Sequence, residues 1–251
     1  MIDNGYGIAD DECPSILEST PPMKSPSFPL RRLAYRVWRS SIQAHLSRPD
    51  ACTLFGLQLV VSPGVLHPRY FASSRLIAGH LLNLDLSGIA VADIGTGSGL
   101  LGLLAARAGA HVTATDINPA AVECAGRNAA RNGVSDRMLV AQADVFDGLQ
   151  GHATFQIIVT NPPFYPRHPE NAADHAFASG VGHQFFTHLA TELPSRLATD
   201  GRLLMVHSSD TDFEPISRIL EGCGLKGRVV RTRRGLFETL TVREFARAYR
   251  T

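Results

Sequence analysis

The stretch Ile89 to Gly102, IAVADIGTGSGLLG, constrains this chain more than any other. A short apolar run, Ile89-Ala90-Val91-Ala92, has the character of a buried parallel strand. Asp93 closes it. Glycines follow at alternate positions, Gly95, Gly97 and Gly99, and the chain then turns apolar and helical through Leu100, Leu101, Leu103 and Leu104. Strand, glycine-rich turn and helix open a nucleotide-binding βαβ unit. The glycines admit a ligand close to the backbone, and the helix N-terminus offers unpaired N–H groups.

Two patterns overlap here. Gly97 to Gly102 satisfies GxGxxG, a dinucleotide signature that is weak by itself. D-x-G-x-G-x-G, starting at Asp93, puts an acid inside the ligand turn. An acid repels a pyrophosphate but suits a ligand that carries an ammonium and a sulfonium, such as S-adenosylmethionine (SAM).

A length of 251 residues suffices for one well-cored domain with an appendage. The net charge of +1 gives no broad electrostatic case for nucleic acid or a membrane surface. No apolar run reaches the length that spans a bilayer. The start, MIDNGYGIADDECPS, is acidic and without an apolar core, so no secretory leader is expected. Four scattered cysteines without a CxxC point to reduced thiols in a cytoplasmic protein, not to a metal site.

Along the chain, residues 1–29 read as a Pro-rich flexible leader or lid. Residues 30–85 read as a helical cap with a short hairpin, and 86–251 as the ligand-binding core. Apolar spacing predicts an amphipathic helix from Leu30 to Leu46 that carries Trp38. A strand is expected over Leu54–Val61 and a second short one at Val65-Leu66, then a helix over about 70–84 that covers one side of the ligand. From there strands at 89–93, 111–115, 138–141, 155–160 and 202–207 alternate with helices at 99–109, 119–132, 184–198 and 213–221. Asn118 and Pro119 cap the second of these helices and Gly133 ends it. Val229–Thr232 and Glu238–Phe245 form a closing antiparallel hairpin. Such alternation predicts an α/β fold, a mostly parallel sheet with helices on both faces.

Three further signals carry chemistry. Asp116 ends HVTATD, where an acid accepts from ribose hydroxyls. Asp144, after the third strand, is placed to accept from the amine of adenine, with Ile117 and Val145 on the ring faces. Asn161-Pro162-Pro163-Phe164 follows a buried strand and so sits at the carboxyl edge of the sheet. The Asn161 side-chain oxygen and the Pro162 carbonyl can hold the two protons of a planar amine, with Phe164 stacked on it. Two fixed acceptors favour the charge that develops on nitrogen as it attacks a sulfonium methyl.

Glycines, acids and NPPF in this order resemble the class I SAM-dependent methyltransferases of NPP[FY] type. The likeness is nearest to those that methylate glutamine in release factors and ribosomal proteins. VLHPR at 65–69, HAFASGVG at 175–182 and the closing LFETLTVREF extend it over about three quarters of the chain. The resemblance implies a Rossmann-like, seven-stranded fold. It implies SAM contacts at Asp93, Gly95, Thr96, Gly97, Asp116, Ile117, Asp144, Val145 and Asn161, and acceptor contacts at Asn161, Pro162 and Phe164. The acceptor stays open between a protein glutamine, a nucleobase amine and a small metabolite. Two other reactions fit parts of the pattern: cyclisation of SAM to azetidine-2-carboxylate and methylthioadenosine, and NAD-dependent oxidoreduction through GxGxxG.

Overall fold

A computed structural model describes residues 48–149, 153–169, 172–236 and 238–247. The expected leader and the Leu30–Leu46 helix lie outside the described residues. Nine strands and five helices follow one another among the residues described. Strands β1 (Asp50–Leu54) and β2 (Leu57–Val61) form an antiparallel hairpin, and helix α1 (Ala72–Leu81) follows. Then come β3 (Ala90–Ile94), α2 (Leu100–Arg107), β4 (His111–Asp116), α3 (Pro119–Arg131), β5 (Met138–Gln142) and β6 (Phe155–Thr160). Helix α4 (Gln184–Arg196), β7 (Leu197–Ser208), α5 (Glu214–Gly222), β8 (Leu225–Arg234) and β9 (Thr239–Arg247) complete the fold.

Seven strands form one sheet in the order β5-β4-β3-β6-β7-β9-β8. Pairing is parallel from β5 through β7, and β9 runs antiparallel to both of its neighbours. The chain builds outward from β3 to β5, then returns to the other side of β3 as β6. This reversal opens a crevice beyond the carboxyl ends of β3 and β6, where open α/β sheets take their ligands.

Alternate residues along each strand feed two cores. Val91, Ile157, Val159, Leu204 and Val206 face α1 and α2 together with Leu57 and Leu59 of the hairpin. Ala92, Ile158, Leu203 and Met205 face α4 and α5, with Phe186, Leu189 and Ile216. The hairpin and α1 therefore share the first core with the sheet.

Several boundaries differ from the sequence reading. Leu54–Val61 is two strands joined at Phe55–Gly56, both with positive φ (51° and 70°), the two-residue turn that matches strand twist. Phe55 hides that turn, because a bulky residue rarely adopts positive φ. Val65-Leu66 is not a strand. The Val65 N–H bonds to the Ser62 carbonyl at 3.2 Å, and its side chain packs with Val61, Ala121 and Cys124. Helix α1 begins after a 3₁₀ turn at Pro68–Tyr70 rather than at Tyr70. Strand β7 starts at Leu197, at the very end of α4, and β8 starts at Leu225.

Asn128 of α3 ties hairpin and glycine turn together. It is fully buried. Its Oδ1 accepts from the Val60 N–H at 3.0 Å, and its Nδ2 donates to the Ser98 carbonyl at 2.9 Å and the Val60 carbonyl at 3.2 Å. Asn128→Leu strands these backbone groups, and urea unfolding is expected to show a loss of about 2–4 kcal/mol. A loss under about 0.5 kcal/mol would refute the tie.

Candidate active site

A cavity of about 450 Å³ opens at the carboxyl ends of β5, β4, β3 and β6. Its wall brings together Asp93, Gly95, Thr96, Gly97, Asp116, Ile117, Asp144, Val145, Asn161 and Pro162. These come from four different strand ends, so the parallel register alone gathers them.

The glycine turn is a backbone device. Gly95, Gly97 and Gly99 have φ of 70°, 56° and 90°, the left-handed region that side chains avoid. The N–H groups of Gly95 and Thr96 both bond to the Thr115 carbonyl at 2.9 Å, which pins the turn to β4. A Cβ placed on Gly95 or Gly97 meets no protein atom within 4 Å. Bare backbone thus faces the cavity, as close approach of a ligand requires.

Asp93 is buried at 1% exposure. Its Oδ2 accepts from the Thr96 hydroxyl at 2.6 Å and from the Gly102 N–H at 2.9 Å, and so supports the first turn of α2. Oδ1 has no partner among the described residues, and Asp93 lines the cavity. Burial pushes its carboxyl up to about 6, against the lowering effect of those two hydrogen bonds. The folded protein therefore holds this proton through a window where the unfolded chain, titrating near 3.8, has lost it. Stability falls as pH rises from about 4 to about 6, by roughly 3 kcal/mol in total from this group. Asp93→Asn keeps an acceptor for both donors. Melting curves across that window are expected to show a smaller fall for the variant than for the parent. Equal falls would mean that Asp93 ionises normally.

Asp116 accepts from the Gly97 N–H through Oδ2 and from the Asn118 N–H through Oδ1, both at 2.9 Å. Burial raises its carboxyl above the usual range. Thr115 donates to the Val145 carbonyl at 2.8 Å, which holds Val145, itself at φ 57°, beside the cavity. Asp144 is not free: His188 of α4 stands 3.5 Å from it and 3.3 Å from Asp147, one ring nitrogen toward each acid.

Asn161 continues β6. Its Nδ2 donates to Ser74 Oγ at 3.0 Å, and Ser74 belongs to α1, 87 residues away in the chain. That bond anchors the amide to α1, with Oδ1 the atom left over. Oδ1 has no partner among the described residues, and Asn161 lines the cavity. Helix α1 thus does more than roof the site; it orients the amide.

Phe164 corrects the sequence reading. It does not line the cavity but packs, partly buried, against the α4–α5 core. The rigid Pro162-Pro163 step turns the ring inward, where burial rewards it. Phe185 of α4 is the phenylalanine that reaches the cavity wall. Of the histidines after NPPF, His175 and His188 line the cavity, while His183 occupies the N-cap position of α4 at a left-handed φ of 60°, without a side-chain capping bond. Ser74, Thr160 and His188 were missed because no local spacing marks them. Only their places at a helix start, a strand end and one turn into a helix bring them to the wall.

Comparison with known proteins bears on this cavity. The family model for the methyltransferase small domain matches residues 57–234. A putative protein N5-glutamine methyltransferase of Methanocaldococcus jannaschii is 30% identical over 193 residues, 74% of this chain and 94% of that one. A tRNA1(Val) (adenine(37)-N6)-methyltransferase of Porphyromonas gingivalis is 44% identical over 79 residues, 29% of this chain and 31% of that one, so the chain spans about a third of that relative. Among solved structures, the 16S rRNA N2 G1207 methyltransferase of T. thermophilus, in complex with AdoMet and guanosine, shares the fold. Its TM-score is 0.59 at 24% identity, covering 80% of this chain and 50% of that one. With a family match across most of its length and a relative covered almost end to end, this chain belongs to the methyltransferase small domain family.

Proposed function

We propose that the chain is a SAM-dependent methyltransferase whose acceptor is a planar amide or amino nitrogen. The observation that carries this reading is the fixed amide of Asn161, its Nδ2 bonded to Ser74 at 3.0 Å and its Oδ1 unpartnered beside the cavity. The residues fit the cofactor. The bare turn at Gly95–Gly97 admits it, Asp116 offers carboxylate oxygens at the place of a ribose, and Ile117 and Val145 supply apolar walls for adenine. Asp93, with one oxygen unspent, suits its ammonium.

SAM, when bound, supplies an electrophilic methyl on a positively charged sulfur. The chain's own residues deal with the nitrogen. A planar NH₂ shares its lone pair with a π system and attacks poorly. Asn161 Oδ1 and the Pro162 carbonyl accept its two protons, orient the lone pair and favour the positive charge that builds on nitrogen. The prolines lack N–H groups and fix φ, so the carbonyl stays aimed. Nitrogen gains the methyl as sulfur loses it, and the surplus proton leaves to solvent.

Acceptors named for the relatives share this chemistry: a glutamine amide, the amine of adenine and the amine of guanine are all NH₂ on a conjugated carbon. We extend that class, and no single member of it, to this chain, together with a cytoplasmic location. No helix among the described residues is long and apolar enough to cross a membrane.

Incubation with methyl-labelled SAM tests the reading. The arms are a glutamine-bearing peptide, single-stranded RNA and no acceptor, each followed by mass spectrometry. Label on an amide or amino nitrogen, with S-adenosylhomocysteine released, is the expected result. Methylthioadenosine formed without any acceptor would replace methyl transfer by cyclisation.

A further inference from the structure

Strand β8 closes one side of the sheet, and its outer edge pairs with no strand among the described residues. The β8–β9 hairpin, residues 225–247, holds seven Lys and Arg against two Glu, a net +5 in a chain whose total is +1. Positive charge is thus gathered at this edge and not spread over the chain.

Strand β9 runs antiparallel to both neighbours, so β8 points the same way as β7 and β6. Its last residues, Arg233 and Arg234, therefore stand on the same rim as Asn161, three strands across, about 14 Å at the usual spacing. Arg228, Arg231 and Arg233 lie opposite Glu244, Val242 and Leu240. Val242 and Leu240 feed the core under α1, so the three arginines share that face. All four arginines are exposed. Glu244 takes Arg228 at 2.6 Å and Arg202 at 3.4 Å. Arg231, Arg233 and Arg234 make no hydrogen bond or ion pair among the described residues. The Arg231 guanidinium rests on α1 at Gly79, where a Cβ would come within 3.2 Å of it. Burial holds the neighbouring His80 imidazole below its ordinary value, and Arg231, Arg202 and Arg228 push it further down against Glu244.

Charge guards an open edge strand against pairing with another chain, but that task accepts either sign and either face. Unpaired guanidiniums leading along one edge to the rim match a file of anions, and a phosphate takes a guanidinium through two parallel hydrogen bonds. We propose that the β8 edge is a docking surface for the phosphate backbone of a single-stranded nucleic acid whose base amine enters the cavity. The assignment rests on the methyl-transfer reading and narrows its acceptor to a nucleobase. A glutamine side chain brings no file of charge with it. A base amine arrives on a strand with a phosphate at every nucleotide, and an unpaired strand leaves that amine free.

Fluorescence anisotropy with a labelled oligouridylate of about 20 nucleotides tests the surface apart from the cavity, since uracil carries no amine. Arg231→Ala/Arg233→Ala is expected to weaken binding at least about tenfold and to flatten the slope of log K against log salt by about 1.4, the share of two phosphate contacts. Arg231→Lys/Arg233→Lys, which keeps the charge, should stay within about threefold of the parent. Arg127→Ala/Arg218→Ala removes as much charge from α3 and α5 and should stay within about twofold. Affinity for S-adenosylhomocysteine, by calorimetry, should match the parent in every variant. Parent-like oligouridylate binding in Arg231→Ala/Arg233→Ala, or an equal loss in Arg127→Ala/Arg218→Ala, would overturn the assignment. So would a labelled polyglutamate that binds the parent more tightly than oligouridylate, which would make the edge a site for acidic protein. Failure of the parent to bind S-adenosylhomocysteine would overturn the cofactor reading instead, whatever the oligouridylate result.

Discussion

Asn161→Ala is expected to lower turnover by about a hundredfold to a thousandfold while SAM affinity stays within about twofold. The amide of Asn161 is held by Ser74 at 3.0 Å, so Oδ1 is placed before any acceptor arrives. Such preorganised dipoles act on charge that exists only in the transition state, which is why the loss falls on turnover. Alanine also leaves Ser74 Oγ without that donor, but Ser74 lies in α1 and away from the adenosine-side residues on β4 and β5. A separate variant, Ser74→Ala, frees the Asn161 amide to rotate. It should lose turnover by about tenfold, less than Asn161→Ala, because the oxygen remains available part of the time. Turnover equal to the parent in Asn161→Ala, measured as S-adenosylhomocysteine released, would remove the residue from the chemistry.

Gly97→Val is expected to weaken SAM binding by at least about a hundredfold with the fold retained. Two effects add. Gly97 holds φ of 56°, a conformation that strains any side chain and a β-branched one most. Its Cβ would enter open space on the cavity wall, where no protein atom lies within 4 Å. The protein thus leaves open space for a Cβ at this point of the wall, space that the ligand needs. Circular dichroism should stay near the parent trace while calorimetric heats vanish. Parent-like affinity in Gly97→Val would show that the ligand does not pass over this turn.

Backbone requirements were the most legible part of the sequence. Alternating glycines declare positive φ, and all three in the turn adopt it. Asn118 before Pro119 declares a helix start, and its side chain accepts from the Ala120 N–H at 3.0 Å. Apolar runs declared β3 and β6, because a strand buried on both faces leaves no polar alternation to misread. The Phe55–Gly56 turn stayed hidden since phenylalanine is not a turn residue. The facing of Phe164 was beyond local reading. An aromatic beside a site can stack on a ligand or fill a core, and only the packing of α4 and α5 decides. Ser74, Asn128 and His188 stayed hidden for the same reason. Each is an ordinary helix residue until the sheet order brings it against Asn161, the hairpin and glycine turn, or Asp144. Long-range order was legible as a class of topology, and pairwise contact between distant elements was not.

A crystal structure of the protein with S-adenosylhomocysteine tests the central claim most directly. The account predicts adenine beside Asp144 and Val145, ribose at Asp116, and sulfur turned toward Asn161 over the glycine turn. Ligand bound outside this rim, or with its sulfur directed away from Asn161, would contradict it.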